Sequence, residues 1–428
     1  MERNEGETMK VDIVVIGGGA SGLAAALSAK SDSNSVLVLE REAVLGGILN
    51  QCIHNGFGLH VFREELTGPE YASRFIEKFT EANIDYKLDT TVLSIEKPED
   101  CFNIEAYNTE DGALTIEAKA VILSSGCYER TRGQIKLPGA RVKGIMPAGS
   151  AQRYLNIDGY LVGKDVFILG SGDIGLIMAR RMTLEGAKVH GVAEIMPYSN
   201  GLTRNIVQCL HDYDIPLYLS HTVTDIKGDN ALESITIQEV DKDFKPIPGT
   251  EKMFDVDTLL LSVGLVPDTM VFETLDIELS EITKGAIVDH TYQSNIPGLF
   301  ACGNALHVHD LVDWVTIESE KAGKSAKHYA DDALKETRRL LTIEPLNGIR
   351  YTVPQFVDVN NFEAPITIMF RVTNKYDVGT FTVKQGDTII QQKKARFIAP
   401  AEMESLMIKP DQLIDQTTPI TIELEVKS

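Results

Sequence analysis

Residues 11–16, VDIVVI, are almost wholly apolar and stop at three glycines. A short apolar run closed by glycine reads as a strand buried on both faces, as in parallel sheets. Small residues crowd 20–29 (ASGLAAALSA), and a second apolar run, 36–39, ends at Glu40. The predicted order is strand, tight turn, helix, strand. Tyr71, Phe75, Ile76 and Phe79 have helical spacing and predict a helix over 68–83, while alternation over 85–108 predicts strands. The run 118–126 (AKAVILSSG) is a buried strand ending in a turn. Residues 164–194 then repeat the opening pattern, with a strand at 166–169, a glycine turn, a helical stretch and a strand closing on Glu194. A helix is expected at 203–213, alternating strands at 216–238, and a buried strand at 257–264 that matches 118–126. The apolar stretch 296–304 gives another strand. Residues 314–341 predict a long helix with small Ala322, Gly323 and Ala326 on one face. Beyond residue 345 the pattern has period two throughout, which predicts an antiparallel β-sandwich of roughly 80 residues.

The two glycine turns share one spacing. Gly17, Gly19 and Gly22 form G-x-G-x-x-G, as do Gly170, Gly172 and Gly175, 153 residues later. The first glycine allows the turn, the second lets a pyrophosphate approach the backbone, and the third lets helix and strand pack closely. Ala20 and Ser21, and Asp173 and Ile174, then open helices whose N-terminal N–H groups face the phosphates. Glu40 and Glu194 stand where a carboxylate accepts ribose hydroxyls. At Glu194 this favours NAD over NADP, with Arg204 the nearest offsetting charge. The predicted fold is α/β: two Rossmann-like, three-layer ββα nucleotide-binding domains, one inserted in the other, plus a C-terminal all-β sandwich-like domain. The expected boundaries are 10–158 and 285–340, 159–284, and 346–428.

The formal net charge is −21, which disfavours nucleic acid and anionic membranes as partners. Residues 346–428 hold 9 basic and 10 acidic residues, so −20 of this charge falls on the first 345. No apolar run is long enough for a membrane span. The polar, acidic start (MERNEGETMK) predicts a disordered leader rather than a secretory signal. Cys52, Cys101, Cys127, Cys209 and Cys302 form no C-x-x-C pair. A zinc site, a cysteine-bound cluster and a disulfide framework are therefore disfavoured, and a reducing cytoplasm is expected.

The order of these motifs over residues 10–335 resembles the two-nucleotide flavoprotein reductases of the pyridine-nucleotide disulfide oxidoreductase and thioredoxin reductase type. The resemblance implies FAD at the first fingerprint and NAD(P)H at the second. It implies further FAD contacts from Arg41, from Gly47, Gln51 and Cys52 in the loop after Glu40, from Val92 near the adenine, and from Gly126. It also brings Gly303 and Asn304 back to the ribityl chain and starts a helix near Val315 that faces the flavin. Gly264 corresponds to Gly126 in the NAD half. The segments GGILNQCIHNGFG and ACGNALHVHDLVDW are similar to flavoprotein subunits found with glycerol-3-phosphate dehydrogenases, and more distantly to alpha subunits of dye-linked proline dehydrogenase and sarcosine oxidase.

Departures narrow the expected chemistry. Residues 144–149 read GIMPAG, without the thioredoxin reductase C-x-x-C, and only Cys52 follows Gly46-Gly47, so a redox dithiol is excluded. Ile177 stands where the family often has a glutamate near the nicotinamide. The candidate catalytic groups are Cys52, His54 and His307, with His309 beside them. His54 is a possible positive neighbour for a Cys52 thiolate, and a histidine could move a proton at the flavin. His307-x-His309 with Asp310 also has metal-ligand residues, but a flavin loop explains it better, so no metal is expected. The expected function is hydride transfer between NAD(H) and FAD, with onward exchange to a small-molecule or protein acceptor or donor, a partner dehydrogenase subunit among the candidates. The alternatives are a single-cysteine NADH-dependent peroxide or disulfide reductase and an electron-transfer subunit with no substrate of its own.

Overall fold

The computed structural model describes residues 8–334 and 337–426 and divides into two compact units: residues up to Cys127 with Pro267 onward, and Tyr128–Val266. Of the expected leader, the part through Glu7 lies outside the described residues, while Met9 and Lys10 already belong to the first strand, Met9–Ile16. No helix among the described residues is long and apolar enough to cross a membrane.

In the first unit, parallel strands run in the order Asp85–Lys87, Val36–Leu39, Met9–Ile16, Gly112–Leu123, Leu299–Ala301. The strand Gly112–Leu123 joins the parallel and antiparallel parts of one seven-stranded sheet. Its first half is only partly buried and pairs antiparallel with Phe102–Asn108, and that strand pairs with Thr90–Glu96. Its last four residues are fully buried among parallel neighbours. The strand expected at 118 therefore starts six residues earlier, because Leu114 and Ile116 continue the alternation back through polar neighbours. The helix Gly68–Glu81 opens on a capping box between Thr67 and Glu70 and buries Tyr71, Phe75 and Phe79.

The helix expected at 314–341 runs from Val312 to Ala330. Its small residues fit it against the helix Ala20–Ala29, since a Cβ on Gly323 would sit 2.2 Å from the Ala25 carbonyl oxygen. Leu340 and Leu341 instead begin a strand, Leu340–Pro345, with alternating burial. This strand pairs parallel with Ile420–Val426, so the terminal β domain starts earlier than residue 346 and is not purely antiparallel. Its five-stranded sheet (Phe356–Asp358, Leu340–Pro345, Ile420–Val426, Tyr376–Gln385, Thr388–Ile398) and three-stranded sheet (Ile349–Val353, Ile366–Val372, Glu404–Ile408) share one core containing Ile343, Phe370, Phe381, Ile408 and Ile422.

In the second unit five parallel strands run Ile145–Pro147, Thr258–Leu261, Asp165–Leu169, Lys188–Glu194, Leu217–Leu219. A three-stranded antiparallel sheet accompanies them. The strand Ile145–Pro147 pairs with Thr258–Leu261, and the helix Ala148–Asn156 shares a core with the helix Asp173–Leu184. This is why the unit begins at Tyr128 rather than at 159, and it closes at Val266 rather than 284. The helix expected at 203–213 is the α-helix Thr203–Cys209 followed by a separate 3₁₀ turn, His211–Tyr213.

Candidate functional site

Two of the three glycines in the first turn are required by the chain's own packing. Gly17 has φ +104°, and a Cβ there would sit 2.5 Å from the Ser124 carbonyl oxygen. A Cβ on Gly22 would lie 1.8 Å from the Gly17 oxygen, so only glycine lets the helix start flush against the strand. Gly19 is different. Its φ of −79° suits any residue, and a Cβ would meet only Gly47 Cα, at 3.8 Å. The chain leaves this position bare although its own packing does not demand it. Open space over a helix N-terminus is what a pyrophosphate needs, so these residues fit a dinucleotide. Gly46 forms a bridge with Gly19, and Gly46 and Gly47 both have positive φ.

Glu40 is buried. Its Oε2 accepts the Gly18 N–H at 2.6 Å and its Oε1 accepts the Glu42 N–H at 2.8 Å. The carboxylate holds the turn, and each oxygen keeps a lone pair for a further donor. Arg41 is exposed, 3.8 Å from Asp268. Gln51 is buried at the end of the turn Gly47–Gln51. Cys52 follows, with its Sγ donating to the Ile48 carbonyl at 3.3 Å. Burial pushes the Cys52 thiol up to about 12, so the thiolate expected of a nucleophile is disfavoured at neutral pH. His54 places Nδ1 3.0 Å from the Asn55 oxygen and its ring 5.0 Å from Phe57. Val92 is buried in the strand Thr90–Glu96. Gly126 has φ +78° with open space where a Cβ would stand.

The loops expected to meet do so through Asp313, a residue not singled out from the sequence. Its buried carboxylate accepts the N–H groups of Gly58 (3.0 Å), His60 (3.1 Å) and Val61 (2.8 Å). His60 also stacks on Trp314, with ring centroids 4.9 Å apart. The returning strand brings Gly303 against the first fingerprint: a Cβ there would lie 2.6 Å from Ser21 Oγ and 3.2 Å from Val315 Cγ1. Asn304 Oδ1 accepts the His309 N–H at 3.0 Å, and its Nδ2 lies 3.7 Å from Cys127 Sγ.

His307 does not line an open loop. It is fully buried and lies 2.7 Å from Glu318 Oε2 through Nε2. Glu318, also fully buried, accepts the Gly303 N–H through Oε1 at 2.7 Å, and His309 Nε2 lies 3.4 Å from Glu318 Oε2. These three residues could in principle hold a cation. The 2.7 Å separation, however, is that of a hydrogen bond. Two ligand atoms on one tetrahedral ion stand about 3.3 Å apart, given metal bonds of about 2.0–2.1 Å. The contact is thus His307 Nε2–H donating to the Glu318 carboxylate.

Burial, reinforced by His309, holds His307 below its ordinary 6.5. Burial raises the Glu318 carboxyl, but His309 and His307 outweigh it and bring it to about 2. Both shifts mean that the folded state binds fewer protons than the unfolded chain, so acid destabilises. Stability should fall as pH drops below about 6.5, with a second loss as pH drops from 4.5 towards 2. Burial lowers His290 as well, so it acts in the first window. Melting temperatures measured from pH 8 to 5 should fall for the wild type, and His307→Gln should flatten part of that slope.

In the second unit, Gly170 has φ +96° and a Cβ there would sit 2.1 Å from the Ser262 oxygen. A Cβ on Gly175 would lie 2.7 Å from Ser262 Cβ, while one on Gly172 would meet Ser262 Oγ at 3.2 Å. Glu194 is buried. It accepts from the Ser171 N–H (3.0 Å), the Ser171 hydroxyl (2.7 Å) and the Met196 N–H (3.0 Å). Asp173 accepts from the Leu202 N–H and Asn205 Nδ2. Ile174 is partly buried, and Arg204 is exposed. The Gly264 carbonyl accepts the Arg130 N–H at 2.9 Å.

Each unit therefore has the parts of a dinucleotide site. The family model for pyridine nucleotide-disulphide oxidoreductase matches residues 11–324, and the chain belongs to that family, whose members bind FAD and NAD(P)H. Curated relatives include an opine oxidase subunit of Agrobacterium tumefaciens, 24% identical over 68% of this chain and 61% of that protein. An alkyl hydroperoxide reductase subunit of Staphylococcus epidermidis is 27% identical over 75% of this chain and 58% of that protein. The chain thus spans about six tenths of the length of these relatives. Among solved structures, thioredoxin reductase of T. acidophilum has a TM-score of 0.61 at 24% identity, covering 76% of this chain and 99% of that one. L-proline dehydrogenase of P. horikoshii has a TM-score of 0.53 at 17% identity, covering 76% and 59%.

Proposed function

We propose that the protein is an FAD-dependent oxidoreductase that passes hydride between NAD(H) and a second electron partner without a redox dithiol. The observation that carries this reading is Gly19, bare where only an outside group needs the room. FAD supplies the redox chemistry when bound, accepting a hydride and releasing electrons onward. The chain's part is to hold and orient it. On this reading the turn at Gly17–Gly22 seats the pyrophosphate, Glu40 and Arg41 face the adenosine ribose, Val92 lies near the adenine, and the turn at Gly126 covers the cofactor. Gly47, Gln51, Cys52, Gly303, Asn304 and Val315 surround the remainder. The turn Gly170–Gly175, Glu194 and Gly264 hold the nicotinamide nucleotide. Glu194, enclosed by Ser171 and Met196, is a poor neighbour for a 2′-phosphate, which favours NAD. The partner is a small molecule or a protein. A dehydrogenase subunit suits the resemblance of two loop segments to flavoprotein subunits found with glycerol-3-phosphate dehydrogenases, and the curated relatives are themselves named as subunits.

The single-cysteine mechanism has less support, because the Cys52 thiol is held protonated by burial. Cys52→Ser should leave the rate of flavin reduction by NADH, and of electron delivery to an artificial dye, within about twofold of wild type. A loss of peroxide or disulfide reduction confined to this variant would instead establish the cysteine reaction.

A further inference from the structure

Arg371 sits on the strand Ile366–Val372 of the terminal β domain, and its side chain is 14% exposed. It does not pair simply with one acid. One nitrogen, Nη2, donates to the Val308 carbonyl at 3.1 Å and to Asp310 Oδ1 at 3.4 Å. The other, Nη1, donates to the carbonyls of Pro400 (3.1 Å) and Ala401. The Met403 N–H adds a bond to Asp310 Oδ2 at 3.1 Å. Tyr351, also from the β domain, belongs to the core of the nucleotide-binding part of its unit and sets its ring at 86° to His307, 6.3 Å away.

Val308 lies between His307 and His309. Fixing its carbonyl fixes both neighbours, and each is tied inward. His307 joins Glu318, which holds the Gly303 N–H, and the His309 N–H holds Asn304. Between the strand ending at Ala301 and the helix starting at Val312, the only regular structure is the three-residue turn Gly303–Ala305. A guanidinium reaching four acceptors at once is a fork that an ammonium cannot reproduce.

We propose that the C-terminal β domain is a wall of the flavin site, with Arg371 a positioning residue that holds the 303–310 segment in the shape that receives FAD. This inference rests on the flavin assignment of the first unit. It gives the β domain a role inside this chain.

The test is titration of the apoprotein with FAD, read by quenching of flavin fluorescence and by the absorption envelope and midpoint potential of the bound flavin. Arg371→Met should raise the FAD dissociation constant about tenfold or more and alter the envelope and potential. Arg371→Lys, which keeps the charge but not the fork, should fall between. Folding is checked by circular dichroism. A folded Arg371→Met protein with wild-type affinity, envelope and potential overturns the proposal. If Arg371→Met does not fold, Arg371→Lys decides, and wild-type values in all three readouts overturn it. A wild-type protein that takes up no FAD would instead strike at the flavin assignment itself.

Discussion

Replacing Gly19 with valine will leave the protein folded and colourless. Position 19 caps the helix Ala20–Ala29 at φ −79° and ψ −167°, a conformation that valine adopts freely. Apart from its chain neighbours, the new Cβ would meet no atom of the described residues closer than 3.8 Å. The cost within the chain is mainly the loss of a favourable N-cap residue, about 1 kcal/mol or less. The branched side chain would fill the space over the helix N-terminus, where a phosphate would otherwise take the free N–H groups. FAD affinity should fall more than about 100-fold, a loss of roughly 2.7 kcal/mol, with little change in melting temperature of the apoprotein. Gly22→Ala is the contrasting variant, because its Cβ would lie 1.8 Å from the Gly17 oxygen and it should lose the fold as well as the flavin. Gly172→Val would place its Cβ 3.2 Å from Ser262 Oγ and 3.7 Å from the Ser262 carbonyl oxygen, and should keep its colour but lose reduction by NADH. If Gly19→Val binds FAD as tightly as wild type, no pyrophosphate lies over this turn.

The second large effect belongs to Glu318. Glu318→Leu keeps most of the volume and removes the group that both the Gly303 N–H and His307 use. It strands two buried polar groups, and breaking a buried pair on one side costs about 3–5 kcal/mol. For a unit of this size that is a fall of roughly 10 °C in melting temperature. Glu318→Gln can accept the Gly303 N–H through its one amide oxygen and donate its NH2 to an unprotonated His307 Nε2, and should lose only about 1 kcal/mol. Equal melting temperatures for the leucine variant and the wild type, measured by calorimetry, would show that the cluster holds nothing in place.

Both fingerprints were legible because a βαβ unit is local. Strand, glycines, helix and acid lie within about thirty residues, and short-range spacing encodes them. The loops at 46–58 and 303–314 were legible as partners only through the family resemblance. What joins them, Asp313, reads in sequence as one acidic residue at a helix start. Glu318 lies in IESEKAGK, where a charged residue every few positions reads as a solvent face, yet it is fully buried. Its burial depends on two histidines that arrive from a loop. Arg371 alternates with apolar neighbours in ITIMFRV and reads as outward facing. The surface it meets is 308–310, some sixty residues away in sequence. The helix expected to continue to 341 stops at Ala330, because Leu340 and Leu341 find better partners as a strand beside Phe356–Asp358 and helix propensity is a weak prior against such pairing. The terminal sandwich was legible as strands, but its first strand and its grip on the 303–310 segment were not.

If this chain binds two dinucleotides and passes hydride from one to the other with no further redox centre, NADH alone reduces its flavin. Anaerobic titration of the FAD-reconstituted protein with NADH, followed through the visible flavin spectrum, tests it most directly. Full bleaching with one NADH per flavin is expected, in wild type and Cys52→Ser alike. A flavin that stays oxidised in excess NADH and NADPH, or one that needs two equivalents for full reduction, would contradict it.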